Sequence, residues 1–382
     1  GAGAAGVSAA PRSPVLGGPE APDRAPDPSP VARVRRTVAG RVLLRSLACV
    51  VVVGAAAALV SGAVSPYDDL QLATGAYYFA VLAGLTVLAG QSGQISLGHG
   101  ALMAVGAYAA ALLIGNEGWS LVPALAASVL IAAIVGLPMG IAATRLRGPY
   151  LAGATLALAV GLPAVADRFP GTFGGENGLA INPPVPPSFL GATFPLERWE
   201  AWIACLGALV VLFVLFNLSA GGVGRTLRAV RDDEIAAALC GLHVARTQTL
   251  AFALSAACAG LAGALLAVVL QLAQPGAFPL QLSLSLLTGV VLGGLGSLVG
   301  AAWGAALLTL LPNWTTDLAH SVSLSTQVSA NLPLAIYGVV LIVAMIVWPS
   351  GIQGGVRAAR DRWRRRRQAA LLAQGRTPSS AA

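Results

Sequence analysis

Lysine is missing from this 382-residue chain: apart from three histidines, all 23 basic residues are arginine, against 15 acidic residues. Charged residues of both signs make up only 10% and aromatics 6%. So little charge cannot cover the surface of a water-soluble protein of this length, whose charged share is normally about a quarter. Hydrophobic residues reach 56% and mean hydropathy +0.78, which predicts a polytopic membrane protein. Asp and Glu are nearly absent from the long apolar runs, which argues against a proton-coupled carrier, whose relay needs buried carboxylates. The four cysteines (Cys49, Cys205, Cys240 and Cys258) show no metal or redox spacing and read as small hydrophobes. There is no Gly-x-x-x-x-Gly-Lys-Ser/Thr phosphate loop, no His-Glu-x-x-His and no Ser/His/Asp constellation. No catalytic residue, metal or cofactor is therefore expected, and ATP cannot bind through such a loop. The net charge of +8 is gathered in clusters, so it reports membrane topology rather than a nucleic-acid partner.

What is present is a succession of apolar runs. Residues 1–40 are rich in Gly, Ala, Pro and Ser and are expected to be a disordered cytoplasmic segment. The chain starts on Gly rather than Met, so its start is expected to be trimmed or misassigned, and no apolar core follows a basic start as in a signal peptide. Ten spans are predicted, at about 43–64, 70–90, 100–114, 120–143, 150–168, 200–218, 248–270, 280–296, 299–315 and 332–349. Ser65–Asp69 reads as a short outside turn, and 169–199 as the longest polar connection. With ten spans the Arg clusters at 33–45, 145–147, 225–246 and 357–367 all fall in the cytoplasm, as do both termini; an odd number would put one terminal cluster outside. Residues 41–350 are thus a membrane domain, and 351–382 an Arg-rich cytoplasmic tail.

The most polar internal stretch begins at Gly224. Arg225, Arg228, Arg231, Asp232, Asp233 and Glu234 crowd into ten residues, punctuated by Leu227, Val230, Ile235, Ala238, Leu239 and Leu242 at helical spacing. One short amphipathic helix is expected here, leading straight into the span that starts near Thr249. Its charges exclude burial in the bilayer, leaving water or a partner.

The pattern Gly224-Arg225-x-x-x-Ala229-x-Arg231-Asp232-Asp233-Glu234-x-Ala236-Ala237, then Gly241, then Ala251-Phe252-x-x-Ser255-Ala256-x-x-Ala259-Gly260-x-Ala262-Gly263, resembles the permease subunits of branched-chain amino acid ABC importers. The resemblance covers about residues 70–350. It implies an all-α inner-membrane permease whose cytoplasmic loop 219–247, carrying Gly224, Arg225, Arg228, Arg231, Asp232, Asp233, Glu234, Ala237 and Gly241, docks on a separate ATPase. It also implies a second related permease subunit, two ATPase subunits, an extracytoplasmic solute-binding protein, surrounding membrane lipid and a small-molecule cargo.

Between spans two and three, Gly90-Gln91-Ser92-Gly93-Gln94-Ile95-Ser96-Leu97-Gly98-His99-Gly100 resembles the same family's Gly-x-x-Ser-Leu-Gly-His segment. A broken helix exposes backbone groups that a membrane tolerates only against protein or a water-filled cavity. One reading makes Gln91, Gln94, Ser96, Gly98 and His99 part of a substrate path; the other is a tight cytoplasmic turn with His99 bonded to a neighbouring helix. Gly93-x-x-Ser96-Leu97 is echoed at Gly294-x-x-Ser297-Leu298, which places Gly294 and Ser297 in a second break and suggests an internal duplication. Gly174–Gly178 reads as a contact for the binding protein or as a Gly-rich turn. Glycines four apart at Gly136/Gly140, Gly289/Gly293 and Gly296/Gly300/Gly304 predict close helix packing, within the subunit or between subunits. The alternatives to branched-chain amino acid import are the same machinery carrying urea or short amides, and an ion-coupled carrier without an ATPase.

Overall fold

The computed structural model describes residues 30–63, 65–146, 148–188, 194–321 and 351–373, with the isolated helical positions 336, 338, 339, 342, 343, 346 and 347. The chain divides into a short unit, residues 1–41, of which only the helical residues from 30 onward are described, and a large unit, residues 42–382. The described chain is helical almost throughout: α1 (Pro30–Ala63), α2 (Pro66–Leu85), α3 (His99–Ala111), α4 (Leu121–Ala143), α5 (Pro149–Arg168), a single turn α6 (Pro170–Phe173), α7 (Leu196–Ala220), α8 (Gly222–Asp232), α9 (Glu234–Leu239), α10 (Val244–Leu270), α11 (Leu280–Gly293), α12 (Leu298–Ser321) and α13 (Gly351–Ala373). Wider π-type turns extend α2 over Thr86–Gln91 and α3 over Leu112–Asn116. Among the described residues eight helices are long and apolar enough to cross a membrane, and Leu298–Trp314 of α12 adds a shorter apolar stretch. The protein is a multi-pass, all-α membrane protein. The tenth predicted span, 332–349, falls largely outside the described residues.

Burial sorts the helices into centre and periphery. Of the span windows in α2, α3 and α10, 67%, 67% and 72% are buried, against 6% for the window in α1 and 22% for those in α4, α5 and α7. Apolar side chains on the outer helices, such as Val122, Leu130, Val210 and Val214, are exposed and suit a lipid surround. Small residues let the central helices meet at backbone distance. A side chain on Gly106 would strike the backbone of Gly260, and one on Gly263 the carbonyl of Met103, where α3 crosses α10. On the other side of α10, Gly136 faces Ala256 and Gly140 faces Thr249. Gly289, Gly293, Gly300 and Gly304 pack α11 against α12. The four-residue glycine spacings therefore serve packing inside this subunit.

The start of α2 corrects the sequence reading. Ser65 caps the helix: its hydroxyl accepts from the Asp68 N–H (3.4 Å), and the Asp68 carboxylate accepts from the Ser65 N–H (3.3 Å), with Pro66 in the first turn. Pro66–Asp69 is thus the helix's first turn rather than an outside turn, because a capping box and an N-terminal proline favour helix over turn. Asp69 is fully buried, and its Oδ2 accepts from Arg198 Nε in the first turn of α7 (3.2 Å). Nearby, Gln271 donates to Glu200 (3.1 Å), and β1 (Leu179–Ala180) pairs antiparallel with β2 (Leu272–Ala273). These contacts tie together one end of the bundle. The other end carries α8, α9, the first turn of α10 and the start of α13.

Candidate functional site

The predicted charged helix is two helices. Leu227 and Val230 bury the inner face of α8, but the chain turns extended at Asp233 (φ −157°, ψ 109°). Asp233 caps α9, its Oδ1 accepting from Ile235 N (2.9 Å) and Ala236 N (3.0 Å). Gly241 then adopts φ +79°, a conformation costly for residues with a Cβ, and reverses the chain into α10. The expectation of one amphipathic helix running directly into the span is corrected accordingly: an Asp ahead of a short apolar run wins as an N-cap. The break reorients the apolar residues. Ala237 packs inward, whereas Ile235 and Leu239 are 75% and 84% exposed. Glu234 faces back into the chain, its Oε1 accepting from Gln248 Nε2 (2.8 Å). Gly224 packs against the Ser219 backbone, and Arg228 donates to the Ser219 carbonyl (3.2 Å). Arg225, Asp232 and Asp233 lie at the surface.

Arg231 connects this loop to the break after α2. Its Nη1 donates to the Gly90 carbonyl (2.6 Å), while Asp232 Oδ1 accepts from Nε (2.9 Å) and Nη2 (2.7 Å) and fixes the guanidinium. Gly93, at φ +75°, leaves room for the Arg231 stem: an added Cβ would lie 2.9 Å from Arg231 Cγ. Gln91 donates to Ser219 Oγ (2.8 Å) at the end of α7. The loop therefore grips the break at two points.

Beyond Gly93 the break turns into the bundle. His99 is fully buried; one ring nitrogen is hydrogen-bonded to Ser96 Oγ (3.0 Å) and the other to Ser255 Oγ (2.7 Å). Ser255 lies about three turns into α10, so the start of α3 sits deep within the bundle rather than at its rim. Leu97 N donates to Thr155 Oγ1 (2.9 Å), Gly100 N donates to Ser283 Oγ (3.0 Å), and a Cβ on Gly98 would come within 2.8 Å of the Thr155 carbonyl. α5, α10 and α11 thus hold this part of the break, and α7 and α8 the part before it. Sequence reading missed Thr155, Ser219 and Ser283, since single hydroxyls in apolar runs carry no spacing signal, and it gave Ser255 only as part of the family pattern, not as a partner of His99.

The second predicted break is real and adjoins the first. Gly294 (φ +119°) and Gly296 (φ +78°) end α11, and a side chain on Gly90 would run into the Gly296 backbone. Ser297 caps α12 by accepting from Gly300 N (3.4 Å). Around this junction lie buried polar atoms with no hydrogen-bond partner among the described residues: both ends of the Gln94 amide, Gln91 Oε1, Ser92 Oγ and Thr86 Oγ1. Each such group costs about 1–3 kcal/mol when buried unpaired. Uncharged donors and acceptors at the meeting point of two helix breaks can take a small polar solute or water. Among the described residues no cluster of His, Cys, Asp and Glu could hold a metal. Gly174–Gly178 forms a turn, and Gly178 abuts Ala273 and Gln274 beside the β1–β2 pair.

Residues 68–346 match the family model described as the branched-chain amino acid transport system permease component. The LivM permease proteins of the high-affinity branched-chain amino acid transport systems of Salmonella typhimurium and Escherichia coli K12 are each 31% identical, over 266 and 265 residues, covering 63% of this chain and 62% of their own length. The E. coli K12 LivH permease protein is 27% identical over 299 residues, 73% of this chain and 92% of its own length. The E. coli K12 ribose import permease protein RbsC is 28% identical over 286 residues. This chain therefore spans about three fifths of the LivM proteins. No solved structure matches it. With a family match running from α2 to the far side of α12, the chain belongs to the branched-chain amino acid transport permease family.

Proposed function

We propose that this protein is a membrane-spanning subunit of an ATP-driven importer for branched-chain or related small neutral amino acids. ATP hydrolysis belongs to two separate subunits, a second related permease completes the pathway, and a solute-binding protein delivers cargo from outside. The observation that carries this reading is the bond from Arg231, in the last turn of α8, to the Gly90 carbonyl of the break, with Gln91 bonded beside it to Ser219 at the end of α7. Movement of a docked loop then reaches the break without an intermediary. The path runs past Gln91, Ser92 and Gln94 and is closed by Ser297 and Gly294 from the second break. Ser96 and His99, bonded to Ser255, hold the start of α3 in position. Neutral amides and hydroxyls suit a zwitterion, which fixed charges would hold too tightly for release.

In proteoliposomes containing the reconstituted importer, ATP and binding protein should drive leucine uptake. Arg231→Ala should lower that uptake at least tenfold with ATPase assembly intact, since a charged hydrogen bond is worth roughly 1.5–3 kcal/mol and this one also carries the motion. Unchanged uptake in that variant would remove the loop-to-break route. Ribose is the competing cargo, favoured by the similarity to the ribose permease; uptake of ribose but not leucine would select it.

The positive-inside rule supports a cytoplasmic reading of the arginine-rich end and of both termini. Reporter fusions after Arg45 and after Arg357 should both read as inside. A fusion read as outside would break the even-span arrangement.

A further inference from the structure

The two breaks are each held by an arginine from a different helix. Arg231 of α8 donates to the Gly90 carbonyl (2.6 Å), and Arg357 of α13 donates through Nη2 to Ser297 Oγ (3.1 Å). Gly90 and Gly296 touch at the backbone. Ser297 is only 7% exposed and also accepts from Gly300 N, so it links α13 to the first turn of α12. Gly351 opens α13 at φ +75° and packs against Gly294: a Cβ there would lie 2.6 Å from Gly294 Cα. From Val356 to Arg365 the side chains of α13 are exposed. The junction at Gly351, Gly294 and Arg357–Ser297 is therefore where α13 is fastened. An ordinary surface arginine contributes little to stability, but this one ends on a buried hydroxyl inside a helix break. The family match ends at residue 346, before α13 begins.

We propose that Arg357 is a positioning residue for the gate, and that α13 is a second input to it beside the α8–α9 loop. Arg357 holds the α11–α12 break as Arg231 holds the α2–α3 break. Because the breaks abut, releasing either arginine loosens both. The gating role rests on the transport reading above; the mechanical link between the breaks does not.

The test reads hydrogen exchange on the full-length permease in lipid nanodiscs, where protection reports local opening. Arg357→Ala should speed exchange severalfold at 297–301 and also across 92–98, on the other break. Arg357→Lys, which keeps a donor, should restore most of the protection. Ser297→Ala removes the acceptor without touching α13, and the α12 cap with it, so it should speed exchange at both breaks at least as much, and the double variant should not exceed Ser297→Ala by much, as expected when Arg357 acts through Ser297. Faster exchange confined to 297–301, no change at either break, or full additivity would overturn the proposal. In the assembled importer, Arg357→Ala should also raise substrate-independent ATP hydrolysis severalfold. An importer that fails to transport leucine leaves the exchange result standing, whereas an unaffected 92–98 segment sinks the link even in a working importer.

Discussion

Replacing Ile235 and Leu239 together by Asp should abolish association with the ATPase subunits while leaving the permease inserted and folded. The two side chains are 75% and 84% exposed on α9, at an end of the bundle crowded with Arg231, Asp232, Asp233 and Arg246. Such neighbours exclude a lipid surround, and two large apolar side chains projecting side by side mark a contact surface. In the proposed docking both would become buried, and an unpaired carboxylate in their place would carry a desolvation penalty of several kcal/mol. Affinity should fall at least a hundredfold, read as loss of ATPase subunits co-purifying with the tagged permease. Neither residue supports the fold, so yield and melting temperature of the isolated permease should stay near the parent's. Retained co-purification would move docking off α9. Glu234 provides the contrast: it is turned toward Gln248, so its substitution disturbs the α9–α10 corner first.

Gly263→Leu should prevent the permease from accumulating in folded form. At this position α10 passes so close to α3 that a Cβ would overlap the Met103 carbonyl, a backbone atom that cannot rotate away. One turn below, Gly260 faces Gly106 and Ala132 in the same way, so α10 has no free direction in which to shift. Overpacking against side chains costs about 1–3 kcal/mol; against backbone, which has no rotamer to change, it should exceed that. The measurement is folded yield by fluorescence-detected size exclusion. Gly153→Leu is the control, since nothing lies within 4 Å of its added Cβ, and it should accumulate like the parent. Normal yield of Gly263→Leu would show that the α3–α10 crossing is not as tight as drawn.

The spans up to α12 were legible because a bilayer demands long apolar runs, and interruptions such as Gly90–Gly100 and Gly294–Ser297 stand out against them. The charged loop was legible for the same reason. Its internal geometry was misread because Ile235, Ala238 and Leu239 continue the helical spacing of Leu227 and Val230, and periodicity does not report a cap. Asp233 ahead of Glu234 was the signal that could have revealed it. Asp69 was read as loop because a carboxylate at the edge of an apolar run looks solvated; its partner Arg198 is far away in sequence. The abutment of Gly90 on Gly296 could not be read at all. The echo of the two motifs indicates that they are alike, not that they meet. The same holds for His99 and Ser255, which are 156 positions apart.

The first helix has a consequence of a different kind. α1 is fastened to α7 by two polar pairs, Ser46 with Asn217 and Ser61 with Trp202, and otherwise shows its apolar side chains to the surroundings. It lies ahead of residue 68, where the family match begins. A helix that crosses but hardly packs adds little to the cohesion of the bundle, yet it still counts as a crossing. Its weight is in parity: with the N-terminal Arg cluster held in the cytoplasm, one helix more or fewer at the front would reverse the direction in which every later helix is threaded, and with it the side on which the α8–α9 loop emerges. Substitutions on the exposed face of α1 are therefore expected to be tolerated where its deletion is not.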